Sequence, residues 1–336
     1  MMQNTIQALP KTELHLHIEG SLTPARLFER AEKNGVALQF NDEAELAAAY
    51  DFDGLQAFLD LYYLGMHTLV DEEDFYLLTM DYLEVCRAQN IVYVEIGYDP
   101  QGHTERGVAF EVPWRGINQA LADARQQWGI QSGVILNLLR HLSEDNALQT
   151  LAQAEAAQLD LLAVGLDSSE APFPPNMFQR AFARAREIGW RTVAHAGEEG
   201  PADYVWSAIN DLQVQRIDHG VRSDEDPALM DYLIAQQVPL TVCPLSNVRL
   251  AVFEDISQHN ILKMLDRDVL VTVNSDDPAY FGGYLNENYQ ALVDGLGASH
   301  DQVVQLIRNG FRGSFLPEVE KRHWQERISA ELAKVE

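Results

Sequence analysis

The stretch from Phe178 to Gly200, FQRAFARAREIGWRTVAHAGEEG, decides the fold class, because it holds a helix pattern followed by a buried strand. Apolar residues recur at helical spacing from Phe178 to Ile188, with charged residues between them, and Gly189 follows as a stop signal. The run Thr192–Ala196 is short and apolar and is followed by a glycine, which is typical of a strand buried on both faces of a parallel sheet. This unit predicts a helix that leads into a strand of a parallel sheet.

Similar short apolar runs occur eight times, between longer amphipathic stretches. They are Glu13–Ile18, Val92–Ile96, Gly133–Leu138, Ala163–Leu166, Thr192–Ala196, Arg216–His219, Leu240–Cys243 and Val269–Val273. From the second run onward the interval averages about 30 residues, the size of a βαβ unit. We therefore predict an α/β protein, a (β/α)8 TIM barrel that forms one domain over residues 1–336. The longer interval after the first run predicts a helical cap inserted at about residues 22–90, over the end where barrel active sites form.

The charge balance excludes several classes of partner. The chain has 24 Lys and Arg against 51 Asp and Glu, a formal net charge of −27. Such a chain repels nucleic acids and anionic membranes unless it carries a basic patch. The densest basic stretch, around Arg180, Arg184 and Arg186, is interrupted by Glu187 and is typical of a solvated helix face. We expect neither a nucleic-acid nor a membrane partner, and the oligomeric state stays open.

Location and metal chemistry follow from what the sequence does not contain. It has neither the pattern of a signal peptide nor an apolar run of about 18 residues, so we expect a soluble, cytoplasmic protein. Cys86 and Cys243 are the two cysteines and cannot form a disulfide framework. Any metal site is therefore expected to use His, Asp and Glu.

Polar residues with chemical potential lie at the ends of the predicted strands. His15 and His17 flank Leu16, and the two-residue period of a strand places both imidazoles on one face. His195 and His219 end two further runs, and Asp276 and Asp277 follow the last one. Barrel enzymes gather their catalytic residues at the carboxyl ends of strands, so we expect these side chains to meet there.

Three imidazoles and one carboxylate from this set would suit a divalent ion such as zinc, with a position left for water. An ion of this kind can generate hydroxide at neutral pH. Glu198 leaves the strand that carries His195 and is our candidate proton donor. Of the adjacent pair Asp276 and Asp277, one can bind metal while the other contacts substrate.

These motifs resemble one enzyme family. The segments TELHLHIEGSL, AHAGEEG, RIDHGVR, CPLSN and NSDDPAYFGGY, in this order between Pro10 and Tyr284, are similar to the adenosine and adenine deaminases, a branch of the metal-dependent amidohydrolases. The resemblance implies one zinc ion per chain, held by His15, His17, His195 and Asp276. It further implies that activated water attacks C6 of a purine, that Glu198 protonates N1, that His219 orients the water and helps to move its proton, and that Asp277 contacts N7.

The resemblance also indicates a branch of the family. Adenosine deaminases carry Asp in an H-x-H-x-D-G motif, where it helps to hold the ribose, whereas this chain has Glu19. The longer side chain is expected to intrude into the ribose space, which favours adenine, the free base, as the substrate in purine salvage. Gly97 replaces an aromatic residue of adenine deaminases and is expected to open a pocket, so an N6-substituted adenine is an alternative substrate, as is adenosine. Ser169 completes the predicted substrate-binding residues.

Other readings of the same residues stay open. A metal-dependent phosphoesterase can also be built on an H-x-H pattern, but its anionic substrate needs basic residues that the motifs carry only at their margins. A barrel that binds purine without catalysis could dispense with Glu198. Tyr62 and Tyr63, in the predicted cap, are expected mainly to pack, with a position at the substrate entrance as the alternative.

Overall fold

Eight parallel strands form a barrel in the order in which they occur along the chain. The computed structural model describes residues 2–52 and 54–334. The strands are β1 (Lys11–His17), β2 (Ile91–Tyr98), β3 (Gln131–Leu139), β4 (Ala163–Asp167), β5 (Arg191–Ala196), β6 (Arg216–His219), β7 (Leu240–Val242) and β8 (Val271–Val273). Each strand pairs in parallel with the next. The predicted TIM barrel is confirmed.

Helices surround the barrel and precede or follow its strands. They are α1 (Met2–Ala8), α2 (Pro24–Asn34), α3 (Glu43–Ala49), α4 (Gly54–His67), α5 (Glu72–Ala88), α6 (Pro100–Thr104), α7 (Glu111–Trp128), α8 (Glu144–Ala156), α9 (Gln179–Ile188), α10 (Ala202–Ser207), α11 (Pro227–Gln236), α12 (Pro244–Arg249), α13 (Ile261–Leu265), α14 (Pro278–Phe281), α15 (Leu285–Leu296), α16 (His300–Gly313) and α17 (Glu318–Leu332). None in the described part of the chain is long and apolar enough to cross a membrane.

Helix α9 shows how local sequence signals determine where these elements begin and end. In α9 the buried residues are Ala181, Phe182 and Ala185. Ala185 lies four positions after Ala181 and three after Phe182, so the three side chains face the barrel together. The helix ends at Gly189, whose φ of 99° is a left-handed conformation that favours glycine. The chain then enters β5, and this strand carries His195 to the carboxyl end of the barrel.

The α-helices α2–α5 lie between β1 and β2, in the interval where the sequence predicts a cap. The apolar and aromatic side chains of α4 lie over the carboxyl end of the barrel, where Phe58 and Tyr62 border the central cavity. Phe58 also contacts Phe281, with ring centroids 4.7 Å apart, which joins the inserted helices to the segment after β8.

The barrel closes where its last strand meets its first. An isolated bridge joins Leu16 to Asp276, three residues beyond the end of β8. The amide of His17 donates to the carbonyl of Asp276, and the amide of Asp276 donates to the carbonyl of His15, each at 3.1 Å. The amide of Leu14 also donates to Oδ1 of Asn274, a residue 260 positions away, at 2.9 Å. This seam places Asp276 beside both histidines of β1.

A buried ion pair fills the barrel interior beneath this end. Arg216 of β6 and Glu95 of β2 are fully buried and form a salt bridge across the barrel. The guanidinium also donates to the carbonyl of Leu14 at 3.0 Å. Glu95 accepts further hydrogen bonds from the hydroxyl of Tyr93 at 2.9 Å and the amide of Phe315 at 2.7 Å. Both charges therefore have partners, as buried charges require.

Candidate active site

Four imidazoles and one carboxylate meet at the carboxyl end of the barrel. His15 and His17 lie on β1, His195 on β5 and His219 at the end of β6, while Asp276 follows β8. All five side chains are buried. The structure thus brings together candidate residues that the sequence places at four different strand ends.

Four of these side chains have the spacing of a metal site. Nε2 of His195 lies 3.1 Å from Nε2 of His15 and 3.2 Å from Nε2 of His17. Oδ1 of Asp276 lies 3.4 Å from Nε2 of each of the same two histidines. Metal–nitrogen bonds of about 2.0–2.1 Å in a tetrahedron put neighbouring donor atoms about 3.3–3.4 Å apart. These residues therefore fit one divalent ion of the zinc type, for which imidazole and carboxylate are suitable ligands.

His219 lies beside this set, at a longer distance. Its Nε2 is 3.7 Å from Oδ2 of Asp276, the oxygen that does not face His15 and His17. A set with His219 in place of His17 also has all its donor atoms within 4.8 Å of one another. The distances of 3.2 and 3.4 Å from Nε2 of His17 to Nε2 of His195 and Oδ1 of Asp276 favour His17 as a ligand, with His219 at the border of the cavity.

The outer nitrogens of two of these imidazoles bond to the protein backbone. Nδ1 of His15 lies 3.2 Å from the carbonyl of Thr241, and Nδ1 of His195 lies 3.1 Å from the carbonyl of Leu166. A carbonyl only accepts, so each Nδ1 carries the proton and each Nε2 keeps a free lone pair. Histidines that bind metal commonly have this arrangement, which fixes the ring and its tautomer.

Asp276 is held in the form that a ligand needs. Burial alone would raise the pKa of its carboxyl, but the positive charge of His15 and His219 in their protonated forms holds that pKa well below its usual range. The hydroxyl of Ser246 donates to Oδ2 at 2.7 Å. Asp276 is therefore ionised, with Oδ1 turned toward the histidines of β1.

A cavity of about 80 Å³ opens directly above this cluster. One part of its wall is apolar or aromatic, and the other is polar and largely acidic. The apolar and aromatic residues are Phe58, Leu59, Tyr62, Tyr63, Leu139 and Leu250; the polar residues beyond the histidines and Asp276 are Asp99, Asp167, Ser168, Ser169, Glu198, Glu199 and Asp277. Such a wall suits a flat, uncharged heterocycle that carries hydrogen-bonding groups at its edges.

Glu198 borders this cavity on the loop that leaves β5, and its side chain is 12 % exposed. Burial, with further contributions from Asp276 and Glu170, raises the pKa of its carboxyl well above the usual range. Glu170 also fixes the loop, because its carboxylate accepts hydrogen bonds from the amides of Gly197, Glu198 and Gly200 at 3.2, 3.2 and 2.6 Å. A carboxyl that keeps its proton near neutral pH can act as a general acid.

Asp277 follows Asp276 and also borders the cavity. Burial, followed by the charges of Asp276 and Asp99, raises the pKa of its carboxyl well above the usual range. Gly20 makes room for it, since a Cβ on Gly20 would lie 1.9 Å from Oδ1 of Asp277. A neutral carboxyl here can donate a hydrogen bond to an acceptor nitrogen.

Glu19 does not line the cavity. Its Oε1 accepts hydrogen bonds from Nε2 of His103 at 2.8 Å and from the amide of Asp99 at 3.2 Å. The side chain is 1 % exposed and lies behind the cavity wall. It supports Asp99, which does border the cavity, instead of filling the expected ribose space directly.

The prediction that Gly97 opens a substrate pocket is wrong. Gly97 borders the barrel interior beneath the metal cluster, not the main cavity. A Cβ there would lie 2.7 Å from Nδ2 of Asn137, so the amide of Asn137 already occupies the space beside Gly97. On the other side, a Cβ on Gly165 would lie 2.1 Å from Oδ1 of Asn137. Two glycines therefore admit Asn137, whose Nδ2 lies 3.3 Å from Nδ1 of His17.

Asp99 and Asp167 were not identified as cavity residues from the sequence, and Tyr62 and Tyr63 were given a packing role in preference to a place at the cavity. Tyr62 and Tyr63 line the cavity, where packing was the main expectation. The hydroxyl of Tyr62 donates to Oδ2 of Asp99 at 3.1 Å. Asp99 and Asp167 lie at the carboxyl ends of β2 and β4, so the strand-end rule that identifies His195 also applies to them.

Comparisons with known proteins agree with this geometry. The family model for adenosine deaminase matches residues 10–331. An adenine deaminase of Hahella chejuensis is 54% identical over 331 residues, which cover 98% of this chain and 99% of the relative. An adenine deaminase of Pseudomonas putida is 58% identical over 308 residues, which cover 92% of this chain and 98% of the relative.

Solved structures show the same likeness. The crystal structure of adenine deaminase from Arthrobacter aurescens has a TM-score of 0.95 at 45% identity, covering 97% of this chain and all of that one. An amidohydrolase from Burkholderia ambifaria, solved with bound zinc, has a TM-score of 0.91 at 25% identity over 99% of this chain and 93% of that one. The barrel, the clustered histidines and the match over nearly the whole length lead to one conclusion: this chain belongs to the adenosine deaminase family.

Proposed function

We propose that this protein is a metal-dependent adenine deaminase, which hydrolyses adenine to hypoxanthine and ammonia in purine salvage. One observation carries the proposal: four donor atoms, four pairs of which lie 3.1–3.4 Å apart, lie beneath a cavity that two buried carboxyls, Glu198 and Asp277, also border. Similarity to adenine deaminases along nearly the whole chain supports the choice of substrate.

We assign the metal site to His15, His17, His195 and Asp276, with zinc as the ion and one ion per chain. A divalent ion there lowers the pKa of a bound water from about 15.7 toward about 7 and so supplies the nucleophile at neutral pH. The protein fixes the ligands through hydrogen bonds behind the rings, such as the one between His15 and the carbonyl of Thr241.

Glu198 is the proton donor of this proposal. Its carboxyl is buried among other carboxyls, and its raised pKa keeps it protonated near neutral pH. It donates this proton to N1 of the purine as water adds to C6, so negative charge does not accumulate on the ring. One proton of the attacking water passes to the exocyclic nitrogen, the bond from C6 to that nitrogen breaks, and the nitrogen leaves as ammonia. The second proton of the water restores the carboxyl of Glu198, and the oxygen becomes the carbonyl oxygen of hypoxanthine.

The cavity wall sets the orientation of the base. Asp277, held as a neutral carboxyl, donates to the acceptor nitrogen N7, and Ser169 borders the same space. Asp99 and Asp167 present acceptors that suit the additional N–H of a free base. Adenosine lacks that N–H and carries a ribose, so the proposal favours adenine over its nucleoside.

An ammonia-release assay tests the proposal. Purified protein loaded with zinc is offered adenine, N6-methyladenine and adenosine, and adenine is expected to give the highest kcat/KM. Glu198→Gln is expected to lower kcat by at least about 100-fold while the metal content stays unchanged. Glu199→Gln, which alters a neighbouring carboxylate of the cavity, serves as the matched control and is expected to retain activity.

Four outcomes would contradict the proposal. Loss of metal in Glu198→Gln would show that this residue is a ligand and not an acid. A higher kcat/KM for N6-methyladenine than for adenine would show that an N6-substituted adenine is the preferred substrate. Purine binding without ammonia release, or phosphatase activity with two or three ions per chain, would favour one of the rival functions.

A further inference from the structure

A chain of buried polar groups runs behind His219. The backbone amide of Ile261 donates to Nδ1 of His259 at 3.1 Å. Nε2 of His259 lies 3.3 Å from Oδ1 of Asn247, and Nδ2 of Asn247 lies 3.2 Å from Nδ1 of His219. His259, Asn247 and His219 are 2, 0 and 1 % exposed, so water does not replace these contacts.

The direction of every hydrogen bond in this chain follows from its first member. A backbone N–H can only donate, so Nδ1 of His259 is an acceptor and the ring proton lies on Nε2. That proton requires an acceptor, which orients the amide of Asn247 with its oxygen toward His259. The NH₂ group of Asn247 then faces His219 and donates to Nδ1. A neutral His219 must consequently carry its proton on Nε2.

The state of His259 agrees with this order. Burial lowers the pKa of its imidazole to about 3, so the ring is neutral and has one proton. The ring also packs against Phe253, with centroids 4.4 Å apart, which limits its rotation. His259 therefore offers a single N–H, and its acceptor nitrogen is already engaged by the backbone of Ile261.

We propose that His259 and Asn247 hold His219 in the tautomer protonated at Nε2, so that His219 acts in deamination as a hydrogen-bond donor. Nε2 lies 3.6 Å from Oε2 of Glu198 and 3.7 Å from Oδ2 of Asp276, between the proton donor and the ligand carboxylate. This N–H faces the space where the attacking oxygen must lie. No proton moves to His219 in this role, because the nitrogen that faces the reaction is already protonated.

This role of His219 rests on the proposed function and differs from the role that the family resemblance implies. That resemblance implies that His219 orients the water and helps to move its proton. A fixed donor orients the oxygen and stabilises the negative charge that develops on it, without taking its proton. Asn247 and His259 are positioning residues in this scheme, since they reach the reacting atoms only through His219.

Spectroscopy tests the tautomer without relying on turnover. Zinc-loaded protein labelled with ¹⁵N-histidine is compared with its His219→Gln variant, which identifies the signals of His219. Wild-type protein is expected to show a protonated Nε2 and a bare Nδ1. Asn247→Asp keeps the shape of the side chain but presents only acceptors, so it is expected to move the proton of His219 to Nδ1.

Kinetics with matched variants complete the test. Asn247→Asp is expected to lower kcat for adenine by about 100-fold, the typical effect of losing one donor to a developing oxyanion, with KM, metal content and melting temperature little changed. His259→Gln retains a donor and an acceptor, so its kcat is expected to stay within about 5-fold of the wild-type value. The kcat of His259→Phe, which has neither group, is expected to fall toward that of Asn247→Asp.

A proton found on Nδ1 of His219 in the wild type would overturn the proposal, as would full kcat in Asn247→Asp. If the wild type released no ammonia from adenine, the proposed function would fail, while the ¹⁵N spectra would still decide the tautomer.

Discussion

Replacing Gly97 by alanine is expected to weaken metal binding and to leave substrate choice unchanged. The new Cβ would lie 2.7 Å from Nδ2 of Asn137 and 3.2 Å from the carbonyl oxygen of Leu16. Ordinary contacts of this kind start near 3.4 Å, so the amide has to move by about 0.7 Å. Gly165 closes the opposite side, where a Cβ position lies 2.1 Å from Oδ1 of Asn137.

A displacement of the amide of Asn137 disturbs its contact with His17. Nδ2 of Asn137 is 3.3 Å from Nδ1 of His17, and Oδ2 of Asp167 is 3.4 Å from the same nitrogen. Disturbing the group behind a ligand typically costs about 10- to 100-fold in metal affinity. Overpacking of this size costs about 1–3 kcal/mol of stability.

Competition with a chelator measures the metal affinity of Gly97→Ala, and ammonia release gives kcat/KM for adenine and N6-methyladenine. The ratio of the two kcat/KM values is expected to match the wild type. The double variant Gly97→Ala/Asn137→Ala removes the clash, so it is expected to bind metal no more weakly than Asn137→Ala alone. Unchanged metal affinity in Gly97→Ala together with a shift toward N6-methyladenine would refute the reasoning and restore Gly97 to the substrate pocket.

Three further predictions concern the barrel interior, the cavity and the metal. Arg216→Met leaves Glu95 as a buried charge without its partner, so urea unfolding is expected to show a loss of about 3–5 kcal/mol, part of which Glu95→Gln restores in the double variant. Gly20→Ala brings a Cβ to 1.9 Å from Oδ1 of Asp277, so adenine turnover is expected to fall at least about 10-fold with metal retained; wild-type kcat/KM would show that Asp277 does not contact the base. Zinc at 1,000 times its Kd is expected to stabilise the fold by about 4 kcal/mol relative to the chelated protein, and calorimetry showing equal melting temperatures would contradict a resident ion.

Much of the fold and of the metal cluster was open to prediction, because these features depend on local patterns. Runs such as Thr192–Ala196 end at glycine, and the period of two in β1 puts His15 and His17 on one face. The ends of parallel strands converge in a barrel, so a histidine at such an end is close to the others whatever the loops do. The same rule, applied to acidic residues, would also have found Asp99 and Asp167.

The errors arose where a residue's role depends on a neighbour distant in sequence. The space beside Gly97 is filled by Asn137 from the next strand, and no pattern around residue 97 indicates this. Glu19 faces away from the cavity because its carboxylate bonds to His103, a buried residue 84 positions later in the chain. The hydrogen bonds that link His259, Asn247 and His219 were missed for a similar reason. Their direction is set by the backbone amide of Ile261, and the types of the side chains do not indicate it.

The coincidence of the metal cluster with the seam between β8 and β1 has a mechanical consequence. In the proposed site, an ion shared by His15, His17 and Asp276 would cross-link the first and last strands of the barrel, whose backbones meet in one isolated bridge among the described residues. It would act in this respect like a removable disulfide that encloses more than three quarters of the chain, and a cross-link of long span restricts the unfolded chain strongly. Loss of the ion would therefore weaken the seam between β8 and β1. Amide hydrogen exchange in the metal-free protein is expected to begin at these two strands and to spread from them to the neighbouring strands of the barrel.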